Sequence, residues 1–167
     1  MTISKLNIEE QLDKEINSLF KESKGWNFDK NRKKRVTYQE FLSNKMLIIS
    51  AIRAGIPYSL FNLTQLYTPF TENDWANFLE ISTKSLQRYK LSSKFNFKSL
   101  HSEKIIEMAE VTNAGLDVFE DMNKLKLWLN TPNFALGNQT PIELLKDSYG
   151  KELVLGELVR INHGILI

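Results

Sequence analysis

Apolar positions recur every three or four residues along most of this chain, so the pattern predicts helices rather than strands. Ile8, Leu12, Ile16, Leu19 and Phe20 mark an amphipathic helix within residues 1–24. A short helix of this kind needs a packing partner to stay folded. Residues 38–54 give a second, with Phe41, Leu42, Met46, Ile49 and Ile52 on one face and Leu47 and Ile48 widening it. Gly55 ends it, Pro57 opens a third over 57–67 with Leu60, Leu63 and Leu66 inward, and Pro69 stops continuation. Thr71 and Asp74 start another helix, with Trp75, Ala76, Phe78 and Leu79 as its apolar side. Ser82 opens a short one over 83–90 that buries Leu86. A long helix follows from Ser99 or His101 to about Phe119, with Ile105, Met108, Ala109, Thr112, Leu116 and Phe119 as its inner stripe. Helices over 122–129, 141–148 and 151–163 complete the chain, and Gly164 suits a C-terminal cap. Few stretches alternate with period two. The expected fold is all-α with about eight helices: a helix-turn-helix lobe, then a small helical lobe.

Composition narrows the function. The 167 residues amount to one domain or two small lobes, and a 42% hydrophobic fraction suffices for a core. The net charge of +2 does not by itself require nucleic acid as a partner. With no cysteine there are no disulfides, thiol nucleophiles or Cys-ligated metals, in keeping with a reducing cytoplasm. No apolar run approaches a membrane span, and the start lacks signal-peptide character. His101 and His163 stand far apart without neighbours at ligand spacing, the seven glycines are isolated, and no serine sits in a nucleophile elbow. The expectation is a binding protein, neither an enzyme nor a cofactor or metal carrier.

Three stretches carry binding chemistry. Trp26 and Phe28 precede the basic run Lys30 to Arg35, either a solvated linker or an arm for nucleic-acid phosphates. Residues 71–90 have the layout of a helix-turn-helix, with small Ala76 where the helices would cross. Thr83, Lys84, Ser85, Gln87, Arg88 and Lys90 face outward there, a set able to reach phosphates and base edges. Glu80 occupies the turn position often held by glycine. The third stretch, Trp128 to Leu145, is a turn-rich loop feeding a sharply capped helix: Thr140 as cap, Pro141 at the first position, Glu143 completing the capping box.

The array Trp128-Leu129, Thr131-Pro132-Asn133, Ala135-Leu136-Gly137, Thr140 to Leu145, Gly150 and Arg160 to Gly164 resembles the antitoxin Xre/MbcA/ParS-type toxin-binding domain. Arg53 to Pro57 and Ser85-Leu86-Gln87-Arg88 are similar to the Xre-like helix-turn-helix part of the same antitoxins. The resemblance spans roughly residues 38–167 and departs at Asn138, where a second glycine is frequent, and at Tyr89, where a second arginine is common. It implies a cytoplasmic bacterial type II antitoxin, divided as 1–37 (amphipathic helix and basic linker), 38–121 (helix-turn-helix domain) and 122–167 (toxin-binding domain). The implied partners are a RES-domain, NAD-degrading toxin, whose active-site entrance the antitoxin covers, and operator DNA for autorepression, with a homodimer or a higher hetero-oligomer with the toxin. Candidate toxin contacts are Leu136, Gly137, Pro141, Leu144 and the tail Gly164, Ile165, Leu166 and Ile167. Two alternatives of another class are a helix-turn-helix regulator without a toxin partner and one with a small-ligand C-terminal domain.

Overall fold

The computed structural model describes residues 5–22, 35–92 and 94–165; Leu166, Ile167 and the aromatic and basic stretch up to Lys34 lie outside them. Within the described residues ten α-helices follow one another: α1 Lys5–Glu22, α2 Tyr38–Ser43, α3 Lys45–Ala54, α4 Tyr58–Leu66, α5 Glu72–Phe78, α6 Thr83–Lys90, α7 Ser99–Phe119, α8 Met122–Leu129, α9 Pro141–Leu144 and α10 Ser148–Asn162. Among the described residues a 3-10 turn and two isolated β-bridges accompany them.

The single helix expected over 38–54 is two. Asn44 is extended (φ −111°, ψ 102°) and serves both: its N–H donates to Phe41 O of α2, and its side-chain oxygen accepts from Met46 and Leu47 of α3. The break turns Met46, expected in the core, out to solvent, while Leu47 and Ile48 take the buried positions. Leu66, also expected inward, is exposed at the end of α4. In place of a helix over 141–148 there is the short α9, and α10 begins earlier, at Ser148.

Two compact units divide the chain. The first comprises residues 1–67 and 84–106, the second residues 68–83 and 107–167. In the first, α1 has its packing partners in α4 and α2. Leu12 and Ile16 are fully buried, and burial of two such side chains contributes on the order of 3–6 kcal/mol. Polar groups fix the register: Asp13 accepts from the Tyr38 N–H at 2.6 Å, and the Asn17 amide both donates to and accepts from the Val36 backbone.

After α6 the chain returns through an extended stretch locked into this unit. Phe97 N–H donates to Ile56 O and Tyr58 N–H to Phe95 O. The Ser102 hydroxyl donates to Phe97 O and accepts from Ile56 N–H. Gly55 (φ +85°) permits the close approach, since a β-carbon there would stand 2.6 Å from Phe97 O. Phe97 is buried edge-on to Phe61, with ring centres 4.9 Å apart. Phe95 stacks on Tyr89 of α6 at 3.7 Å with the rings 10° from parallel.

In the second unit apolar side chains are buried in both of its stretches, 68–83 and 107–167. Phe70, Trp75 and Phe78 meet edge to face around α5. Leu125 and Leu129 of α8, Leu136, Leu145, and Val154 and Leu158 of α10 are buried in the other stretch of this unit. α10 packs on α9 and on the 3-10 turn Phe134–Leu136, and α8 on α9.

Candidate functional site

The loop between α8 and α9 is closed on itself. Asn133 donates its N–H to Gln139 O, accepts from Asn138 N–H at its carbonyl, and accepts from Ala135 N–H at its side chain. The loop turns through two consecutive left-handed residues, Gly137 (φ 69°) and Asn138 (φ 59°). Asparagine enters that region readily because its side chain compensates the backbone locally, so the loop keeps its course without a second glycine. Thr140 donates both its N–H and its hydroxyl to the Glu143 carboxylate. Those two bonds hold the Glu143 carboxyl below its ordinary value, with a smaller contribution from Lys146.

α10 is anchored from two sides. Lys151 pairs with Glu110 of α7. At Gly150 a β-carbon would stand 1.8 Å from Leu144 O, so only glycine lets the start of α10 lie against the end of α9. Its far end closes with Gly164 (φ 69°) as expected: Gly164 N–H donates to Ile161 O and Ile165 N–H to Arg160 O.

The candidate contacts divide by burial. Leu136 is 7% exposed, and Pro141 is buried too. Leu136 belongs to the 3-10 turn that packs on α10, and Pro141 begins the short helix that packs on α8 and α10. Leu144 is half-buried, and Gly137, Gly164 and Ile165 are exposed. Leu166 and Ile167 lie outside the described residues.

Large apolar side chains that sequence reasoning did not single out stand on the surface of this unit. Phe134 is 79% exposed one turn before Gly137, and Leu127 is exposed on α8. On α10, Tyr149 (82%), Leu153 (57%) and Val159 (55%) lie on the side opposite buried Gly150, Val154 and Leu158. Gly156 falls among them, and a β-carbon there would meet nothing within 4 Å. The signal was present in the sequence: Tyr149, Leu153, Gly156 and Arg160 repeat at helical spacing, a second stripe beside the core stripe.

The helix-turn-helix stretch has the expected local order. α5 begins with a Thr71–Asp74 capping box, its Ala76 is buried, and the turn passes through Glu80 in a left-handed conformation (φ 52°). The glycine-like turn geometry is therefore present on a glutamate. On α6, Leu86 is buried, Lys84, Gln87, Arg88 and Lys90 are exposed, and Thr83 and Ser85 are half-buried. The Arg88 guanidinium lies 5.7 Å from the centre of the Tyr89 ring.

Among the described residues no helix is long and apolar enough to cross a membrane, and no three His, Asp or Glu side chains gather as a metal site.

Residues 114–164 match the antitoxin Xre/MbcA/ParS C-terminal toxin-binding domain. A protein named Antitoxin Xre from Photorhabdus laumondii subsp. laumondii is 28% identical over 116 residues, 69% of this chain and 78% of that protein. Another Antitoxin Xre, from Yersinia enterocolitica serotype O:8, is 25% identical over 124 residues, 74% of this chain and 83% of its own length. In fold, the chain is similar to one in the crystal structure of the M. tuberculosis MbcT-MbcA toxin-antitoxin complex. The TM-score is 0.53 at 20% identity, covering 64% of this chain and 94% of that one.

Proposed function

We propose that this chain, an antitoxin of the Xre/MbcA/ParS type by its C-terminal domain, neutralises a cognate RES-domain toxin by binding over the entrance to its NAD-degrading active site. The observation that carries the reading is the outer side of α10, where Tyr149, Leu153 and Val159 stand exposed inside the stretch that matches a toxin-binding domain. An apolar surface of this kind is a liability unless a partner covers it. Phe134 and the Gly137 turn supply a second contact region, held in shape by buried Leu136 and Pro141. The tail residues Gly164, Ile165, Leu166 and Ile167 are further candidate contacts, with half-buried Leu144 at the margin. The antitoxin itself contributes no chemistry; it denies NAD access to the toxin.

Co-expression with the neighbouring toxin gene tests this. Tyr149→Ala with Leu153→Glu should abolish growth rescue and co-purification while leaving the melting temperature intact, because a few buried apolar anchors carry about 2 kcal/mol or more each in such interfaces. Full rescue by a toxin-bound double variant would remove the α10 surface from the mechanism. Deleting residues 164–167 tests the tail in the same assay.

A second activity, repression of its own operon, is supported by the exposed Lys84, Gln87, Arg88 and Lys90 of α6, with Thr83 and Ser85 at its margin. Such a helix reads base edges while its cations hold phosphates, and operators with two half-sites require a dimer or pairing through the toxin. Lys84→Ala with Arg88→Ala should weaken binding to DNA upstream of the gene; undiminished binding would exclude α6.

A further inference from the structure

We infer that residues Lys94–Lys98 form an arm, fastened to α6, that grips the phosphate backbone of duplex DNA beside the surface α6 presents. This deepens the reading of α6 as a DNA-binding helix and rests on it.

Charge is the first ground. Between Glu80 and Glu103 the chain holds Lys84, Arg88, Lys90, Lys94 and Lys98 and no acidic residue, whereas acids occur about once in eight positions over the whole chain. All five cations are exposed, and among the described residues none forms an ion pair. An ordinary solvated surface mixes both signs; a one-signed field of this kind suits a polyanion.

Placement is the second. In this stretch Phe95 and Phe97 turn inward, and Lys94, Asn96 and Lys98 are exposed. Asn96 pairs with Pro57 as an isolated bridge, and the alternation of inward and exposed residues leaves one lysine at the surface on either side of it.

Fastening is the third. The Tyr89–Phe95 stack ties the arm to α6, and Phe97 lies edge-on to both rings. The hydrogen bonds from Tyr58 to Phe95 and from Phe97 to Ile56 clamp the backbone on either side of Asn96. Solvation alone requires no such fixed backbone, while phosphate contacts that set the register of a protein on a duplex do. Tyr89 lacks the charge common at its position, but its ring holds the element that brings two more. The Arg88 guanidinium lies 5.7 Å from the centre of the Tyr89 ring, so a cation of α6 stands beside the ring that holds the arm.

The test uses the full chain, Lys94→Ala with Lys98→Ala, and two duplexes of equal length: one from upstream of the gene, one unrelated. Affinity is measured by fluorescence anisotropy across a salt series. The slope of log affinity against log salt should become shallower by about 1.8, because two phosphates are no longer neutralised, so a fourfold rise in salt costs the wild type roughly tenfold more affinity than the variant. The change should be the same on both duplexes, because phosphates carry no sequence, and the melting temperature should not move. A slope unchanged in this variant but reduced by Lys84→Ala with Arg88→Ala would overturn the arm and leave α6 standing. Absence of salt-dependent binding by the wild type would overturn both. Preference for single-stranded RNA of the same length would overturn duplex DNA as the partner.

Discussion

Leu144 and Gly150 meet backbone to backbone: the Leu144 carbonyl oxygen occupies space that the β-carbon of any other residue at 150 would need. The obstruction is main chain, not the end of a flexible side chain, so it cannot be relieved by a rotamer change. Gly150→Ala should therefore push the start of α10 away from α9 and destabilise the protein by at least about 1–3 kcal/mol, the range for overpacked sites. Urea unfolding measures it. Toxin co-purification should fall with it, since the α10 surface moves; a variant of unchanged midpoint would mean that α9 yields freely.

Asn44 ends one helix and begins the next. Asn44→Ala removes the acceptor that serves the Met46 and Leu47 N–H groups. The loss should be about 0.5–2 kcal/mol, as for other N-cap replacements by alanine. Asn44→Asp should retain most of the stability, and a thermal melt of the three proteins checks the order.

Glu80 and Asn138 are both left-handed, yet they should respond differently to glycine. For a β-carbon-bearing residue the conformation costs roughly 1–2 kcal/mol, of which glycine's greater unfolded-state freedom returns about 0.5–1. Glu80→Gly should then stabilise by up to about 1 kcal/mol in denaturant titration. Asn138→Gly should be nearly neutral, because asparagine already tolerates the conformation. A destabilised Glu80→Gly would show that the glutamate side chain contributes more than its backbone strain costs.

Glu143 gives the stability a pH dependence of known sign. Its carboxyl titrates below the ordinary value in the folded protein, chiefly through the Thr140 hydroxyl and N–H. The contribution is thus complete above the unfolded-state value, about 4.3, and is lost as pH falls through the lower folded one. Glu143→Gln should lower the melting temperature near neutrality, and the gap to wild type should close on acidification below about pH 4. A gap constant from neutrality to acid would show that the charge of Glu143 plays no part.

Most helices were legible because their signals are local. Thr71 with Asp74, Thr140 before Pro141 and Gly164 at the end of α10 each act within one turn, and each stands where periodicity and capping placed it. The split at Asn44 was hidden because the apolar stripe of 38–54 runs on across it; a stripe records which residues could be buried, not where the backbone bends. The burial of Leu136 and Pro141 is not legible in the sequence, because they belong to a loop and its exit and are covered only once α9 and α10 pack around them. The exposed side of α10 is hidden in the sequence for the converse reason. Tyr149, Leu153 and Val159 have core chemistry, and only the position of Gly150 and Val154 shows that the interior lies on the other side. The likeness of residues 114–164 to a toxin-binding domain needs none of this, since it rests on residues arrayed in the order of the chain.

The two compact units are interleaved along the chain, and this has a consequence for synthesis. The first unit needs Phe97 and Ser102 to close over Ile56, so it completes only after the opening segment of the second, residues 68–83, has already left the ribosome. The second cannot bury Leu136 and Leu145 until Val154 and Leu158 have followed. During translation the half that includes α6 is thus able to mature first, and the half that would hold a toxin in check is the last to exist. On the proposed function, a nascent or prematurely ended chain would carry the α6 surface without the α10 one, and neutralisation of a toxin would begin only after ribosomes have passed the codons of α10.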